Sequence, residues 1–301
     1  VLVICLMFVG VVTVRNYIVG KDFVPLTSNA GKNLYIGNNE LATGAFEDAA
    51  TYRYNDVWGS DLSYYLRDRA RTERDMSPSE MSAFFADKAR QFVLRNPGRA
   101  ASLLLKKARL CLNAVELGTN DNFYFARRYS HALRIAILGF WIVAPVGLLG
   151  LFCQIGQRRD RLLLMTLFAS QVVAFTTTFV LSRYRLTMVA ALIIAASIQL
   201  CWWGSQLRAR RYRRVLLSLI PLAVLAMVVN MPVEGIERER GFGQQYVRVG
   251  KAHLEAGEYE LATEAFEQGA TASFEPWYDA NLRRAECLIL LGRTYERALR
   301  V

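Results

Sequence analysis

The sequence predicts an all-α membrane protein, and three observations carry that prediction. Apolar runs fill residues 1–14, 135–155, 162–181, 186–203 and 215–231, and the longer ones approach the roughly 20 residues that cross a bilayer as a helix. Between 77 and 116, apolar residues recur at the three- and four-residue spacing of one helix face. After 231, small and aromatic residues recur in the pattern of repeated helix pairs. With 53% hydrophobic residues among 301 and a mean hydropathy of +0.17, the chain is too apolar for an ordinary soluble domain.

Taken in order, the run 1–14 is apolar to its edge and lacks the basic start and small-residue cleavage site of a signal peptide. It reads as a truncated transmembrane helix, with further chain expected upstream of Val1. Residues 15–131 read as an external loop domain, 132–231 as four transmembrane helices, and 232–301 as incomplete tetratricopeptide repeats. Pro221 falls inside the last apolar run, where a membrane helix tolerates it. Arg158, Arg159 and Arg161 occupy one short loop and Arg208, Arg210, Arg211, Arg213 and Arg214 another, against only Arg183 and Arg185 in the intervening one. This bias places the basic loops in the cytoplasm, and the Arg183 step, the segment 15–131 and the tail outside.

The external segment opens on turn formers, Pro25, Asn29, Gly31, Gly37, Asn38, Asn39 and Gly44, around Leu34, Tyr35 and Ile36. Ser77-Pro78-Ser79-Glu80 is a capping box with proline at the first helical position. Met81, Phe84, Phe85, Ala89, Phe92 and Val93 continue that helix until Asn96-Pro97-Gly98 ends it. Residues 99–116 mix leucines with Lys106, Lys107 and Arg109, a composition suited to the bilayer surface or to a partner helix. In the tail, Gly250, Gly257, Tyr259, Ala262 and Phe266 fit a helix pair closed by Pro276, and Ala285, Gly292, Tyr295 and Ala298 begin a second copy with Thr294 as an extra residue. Gly257 and Gly292 lie 35 residues apart, near the period of about 34 of the tetratricopeptide repeat. Two repeats bury little core, so more are expected beyond Val301.

The net charge of +11 is no nucleic-acid signature, because the arginines flank apolar runs instead of forming a stripe with stacking aromatics. Cys5, Cys111, Cys153, Cys201 and Cys287 are scattered, and His131 and His253 have no companion ligands. No metal site is read from them. A cofactor is not specified, and a divalent cation stays open. The most promising chemistry is the charged step Ser182-Arg183-Tyr184-Arg185 between two apolar runs, expected as a tight turn at a membrane face. A cation there is costly unless partnered, and arginine suits phosphate. Snorkelling at a span end explains the arginines as well, and an interfacial aromatic belt explains Tyr184. Asn33, Tyr35, Asn38 and Asn39 offer neutral groups for sugar hydroxyls or cavity walls, with Lys32 adding charge, although turn formation also accounts for the asparagines. Tyr52, Tyr54, Trp58, Tyr64 and Tyr65 suit stacking on a sugar or packing of the external domain.

Arg15-Asn16-Tyr17, the stretch from Pro25-Leu26-Thr27 through Asn38-Asn39, Ala42-Thr43-Gly44, Asn96-Pro97-Gly98-Arg99 and Arg183-Tyr184-Arg185 together resemble the C-terminal half of bacterial multi-pass glycosyltransferases of the protein-mannosyltransferase-like, dolichyl-phosphate-mannose type. Several members of that family carry tetratricopeptide repeats at the C-terminus. Ala30 stands where a second glycine is common. The resemblance implies transfer of a sugar from a polyprenyl-phosphate carrier to an envelope acceptor at the outer face of the bacterial inner membrane. It implies Arg183, Tyr184 and Arg185 at the donor phosphate, and Lys32, Asn33, Tyr35, Asn38 and Asn39 near sugar or acceptor. The catalytic acidic residue is expected upstream of Val1. The expected partners are the lipid-linked donor, the bilayer and, through the repeats, another protein. Two other readings stay open: a membrane-anchored scaffold and a polysaccharide ligase or polymerase.

Overall fold

The computed structural model describes residues 2–46, 77–118, 121–135, 138–153, 158–272 and 280–298. All the regular elements described are helices, apart from one isolated bridge between Ala45 and Val180. The chain divides into two compact units, Val1–Ala108 with Val173–Val180, and Arg109–Val172 with Leu181–Val301.

The first unit holds α1 (Leu2–Gly20), α2 (Ala30–Gly37), α3 (Pro78–Arg95) and most of α4 (Pro97–Leu112), with the C-terminal end of α8 (Arg158–Thr177). The capping box forms as its sequence predicts: Glu80 N donates to Ser77 Oγ at 3.3 Å, and Ser77 N donates to Glu80 Oε2 at 2.9 Å. Asp22 accepts from the backbone N–H and hydroxyl of Ser79, fastening the end of α1 to that cap. Asn96 then separates α3 from α4, with Pro97 opening the new helix, and α4 stops at Leu112, short of the predicted 116. Helix α2 lies backbone to backbone on α3, since a Cβ on Gly31 would sit 1.7 Å from the Ser82 carbonyl oxygen. Gly37 approaches Thr178 as closely. Ala42, Phe92 and Leu103 form the small core beside these contacts.

The second unit holds α5 (Phe123–Tyr129), α6 (His131–Ile135), α7 (Phe140–Cys153), the start of α8, α9 (Ser182–Arg208), α10 (Tyr212–Asn230), α11 (Phe242–Ala256), α12 (Tyr259–Thr271) and α13 (Ala280–Ala298). Helices α7 and α9 cross at small residues: a Cβ on Gly147 would lie 2.5 Å from Leu192 O, and one on Gly150 would lie 2.0 Å from Ala195 O. Such close backbone approach is how helices associate where apolar surface alone gives no drive. Leu151, Leu164, Ala191 and Ala195 fill the seam, with Met165, Phe168 and Ile198 against them.

Among the described residues, α9 and α10 are long and apolar enough to cross a bilayer, with mean hydropathy 1.9 and 1.8 over their best windows. Only 28% and 6% of those windows is buried, unlike the core helix of a soluble protein, so lipid is the solvent that fits them. The other predicted spans are helical but fall short. Helix α7 and residues 6–20 of α1 are apolar but shorter. Helix α8 opens on Arg158, Arg159, Asp160 and Arg161 and ends at Thr177, leaving an apolar part below the roughly 20 residues a crossing takes. Of the five expected spans, two are thus helices of sufficient length among the described residues.

The charged step is also not a turn. Leu181 takes an extended conformation (φ −144°, ψ 134°) as N-cap, and Tyr184 N and Arg185 N donate to its carbonyl. Ser182-Arg183-Tyr184-Arg185 is thus the first turn of α9, and the break between α8 and α9 falls at 178–181. Apolar Phe179, Val180 and Leu181 extended the hydrophobic run by composition but not by helix: Val180 N donates to Gly44 O at 2.9 Å and Phe46 N to Val180 O at 3.2 Å.

In the tail, α11, α12 and α13 pack in succession. Gly257, with φ +78°, closes α11 in the left-handed conformation that glycine adopts without strain. Phe266, fully buried, packs against Gly250, where a Cβ would meet its ring at 2.6 Å. Ala262 is fully buried on the same helix, and Gly269 faces Tyr246 and Cys287. Thr294, the extra residue in the repeat pattern, is buried with its hydroxyl donating to Leu290 O. Pro276 and the aromatic group from Tyr52 to Tyr65 lie outside the described residues.

Candidate functional site

The arginines of the first turn of α9 have opposite environments. Arg185 is 1% exposed. Its guanidinium donates to Asn113 O, to Val115 O at 2.7 Å, to Glu116 Oε2 at 3.0 Å and to Ser182 Oγ at 2.8 Å, and its plane lies 4.5 Å from the centre of the Phe140 ring. A buried cation survives when it is paired and hydrogen-bonded, and this one has Glu116 as its counter-charge and both terminal nitrogens engaged. Arg185 is therefore occupied by its own protein, contrary to a direct phosphate contact. Arg183 is exposed and stacks over Tyr184 at 5.3 Å, with Tyr184 itself half-exposed.

Around Arg185 the segment 109–117 forms a strap. Leu117 N donates to Ser182 Oγ at 2.6 Å and Ser182 N to Leu117 O at 3.0 Å. At the other side, Ala114 N donates to Val229 O, Asn113 Nδ2 to Met231 O and Arg109 to Pro232 O. The strap thus ties the start of α9 to the end of α10, two chain ends that a membrane boundary would hold at one level. Cys111, buried beneath it against Met188, has its thiol pushed up to about 12 by burial, with the nearby Arg185 charge opposing. It is an inert thiol.

In the first unit, Lys32, Asn33, Tyr35, Asn38 and Asn39 share α2 and the two residues after it. The asparagines act mainly as caps. Asn39, 1% exposed, donates to Tyr35 O and Ile36 O and accepts from Leu41 N. Asn38 donates to Leu34 O and Thr177 O, holding the carbonyl ends of α2 and α8 together. Lys32, Asn33 and Tyr35 are half-buried, and the Tyr35 ring rests on Phe85 at 5.6 Å. The donor-side and sugar-side candidates belong to different units.

Sequence reading missed Lys107, which is 1% exposed and donates to Asn38 Oδ1 at 2.9 Å and Thr176 O at 3.3 Å. A cation at the carbonyl end of a helix is favoured by the dipole, yet burial lowers its pKa from 10.5 to about 8. The signal was available: Leu103, Lys107, Leu110 and Cys111 fall on one helix face and are all buried. Because the folded chain releases this proton near pH 8 and the unfolded chain only near 10.5, burial of the charge costs stability below pH 8, and that cost is relieved as pH rises between the two values. The melting temperature of the protein should therefore rise relative to that of Lys107→Met over this window and run parallel to it below pH 8. A constant difference from pH 7 to 10.5 would show that Lys107 titrates normally.

No group of three or more metal-ligating side chains occurs among the described residues. Compared with protein-family models, curated proteins and solved structures, the chain matches none. What the fold and the site define is a class: an all-helical chain with two helices able to span a bilayer and a cationic first turn on one of them.

Proposed function

We propose that the chain belongs to a multi-pass membrane glycosyltransferase that takes a sugar from a polyprenyl-phosphate carrier and passes it to an envelope acceptor outside the bacterial inner membrane. The observation that carries this reading is Arg183, an exposed cation stacked on Tyr184 at the start of a 27-residue apolar helix. A lipid-linked sugar keeps its phosphate at the membrane surface, and a guanidinium there stabilises the phosphate as it becomes the leaving group. Arg183 makes that contact, and Arg185 holds the turn in place through the strap. The arginine bias around α8, α9 and α10 supports an external position for this turn.

The test is transfer from a polyprenyl-phosphate sugar by purified full-length protein. Arg183→Lys keeps the charge but loses the planar fork, so turnover should fall about 30- to 1000-fold, the equivalent of roughly 2–4 kcal/mol in the transition state. Arg210→Lys and Arg211→Lys, assigned to the opposite face, should be neutral. Equal losses in all three variants would remove the special status of Arg183.

A second reading, a membrane-anchored scaffold with tetratricopeptide repeats, is favoured by the close packing of α11 against α12 at Gly250 and Phe266. Absence of sugar transfer, together with loss of a co-purifying protein when residues 242–298 are deleted, would decide for it.

A further inference from the structure

One turn below Arg183 the lipid-facing surface of α9 is polar where apolar side chains are expected. Thr187 is exposed and lies four residues after Arg183, one turn further along the same face and about 6 Å deeper. Its hydroxyl donates to Gln171 Oε1 of α8 at 2.8 Å, and it also lies 3.2 Å from the Tyr184 carbonyl. With its oxygen used as an acceptor, the Gln171 amide keeps its N–H donors, which have no hydrogen-bond acceptor among the described residues. Other hydroxyls on α8 close back on their own helix: Thr166 donates to Leu162 O and Ser170 to Leu167 O. Gln171 does not. An amide N–H facing hydrocarbon without an acceptor costs several kcal/mol, and a side chain of this kind near a membrane boundary is by default functional.

We propose that Arg183, Thr187 and Gln171 form one lateral site for the phosphate of an isoprenoid lipid lying against α8 and α9, with Gln171 donating to a phosphate oxygen below the guanidinium. The proposal rests on the reading of the chain as acting on a polyprenyl-phosphate donor, and it assigns specificity to two residues outside the arginine turn. The donor set is suited to an anion: an exposed guanidinium stands one helical turn from the threonine that binds the Gln171 amide, and no carboxylate pairs with Arg183 among the described residues. Thr187 acts as a positioning residue, since its hydrogen bond takes the amide oxygen and leaves the nitrogen to donate. The site lies along the side of the helices, so the lipid enters from the bilayer with its chain left in hydrocarbon.

The experiment is binding of undecaprenyl phosphate to the purified full chain in detergent, measured by native mass spectrometry in competition with phosphatidylglycerol and with inorganic phosphate. Wild type should bind undecaprenyl phosphate saturably, with neither competitor displacing it at equal concentration. Gln171→Leu and Thr187→Val, which make the lipid face more apolar and so preserve insertion, should each weaken binding about tenfold, as for one hydrogen bond to a charged group. Thr166→Val should not change it. Unaltered affinity in both variants, or equal displacement by phosphatidylglycerol, overturns the site while leaving the donor class intact. Failure of wild type to bind undecaprenyl phosphate overturns the donor reading itself. Normal binding without any transfer activity removes the glycosyltransferase reading and retains the site.

Discussion

Replacing Arg185 with leucine is expected to destabilise the second unit by about 3–5 kcal/mol, because it removes one partner of a buried ion pair and leaves the rest uncompensated. The carbonyls of Asn113 and Val115 would lose their donor, and Glu116 would face the same pocket with no cation. Lysine in this position should recover only part of the loss, since one ammonium cannot reach the four acceptors that the guanidinium fork serves. The measurement is the midpoint of thermal aggregation in detergent, with hydrogen exchange reporting on 109–117. Selective loss of protection in that strap is the expected pattern. A midpoint and exchange profile unchanged in Arg185→Leu would show that the strap stands without its peg. The same substitutions separate two roles for this residue: if Arg185 instead contacted the donor phosphate directly, Arg185→Lys would lower turnover with no change in strap protection.

The second large effect is expected in the tail. Ala262 is fully buried on α12, and Ala262→Asp places a carboxylate in that packed interior. An unpaired buried charge costs several kcal/mol, a large share of what a small helical unit has to lose. Hydrogen exchange in the full-length protein should then show 242–298 unprotected while α9 and α10 remain protected. Full protection across α11 and α12 in the variant would mean that this side chain is not buried, and the helix-pair assignment of the tail would fall with it.

What could be read from the sequence was whatever is encoded within a few residues. The start of α3 follows from Ser77, Pro78 and Glu80 alone, and the packing of α11 on α12 follows from the spacing of glycine, alanine and phenylalanine. Helix ends among apolar residues were not legible in this way. Phe179, Val180 and Leu181 have the composition of a span, but both backbone groups of Val180 are claimed by Gly44 and Phe46, more than 130 residues earlier, and the Leu181 carbonyl caps α9. Conversely, charge suggested a turn at Ser182 to Arg185, although arginine is an acceptable helix former and the extended Leu181 starts the helix there. The candidate site was legible as a cluster of residue types but not as a set of roles. Arg183 and Arg185 look equivalent in sequence, and only contacts with Asn113, Val115 and Glu116, some 70 residues away, distinguish the occupied guanidinium from the open one. Asn38 and Asn39 have the chemistry of sugar readers, yet two helix ends take up most of their hydrogen bonds.

The separation between Arg185 and its acceptors has a further consequence for how the protein is made. During synthesis the carbonyls of Asn113 and Val115 leave the ribosome about 70 residues ahead of the side chain that will satisfy them, and all of α7 and α8 must be placed in the interval. Until then those two carbonyls lack the donor that the folded protein gives them. The arrival of α9 closes the strap, because its first turn carries both Arg185 and the Ser182 groups that bond Leu117. Arg185 in this way makes the placement of a later helix a condition for completing an earlier segment.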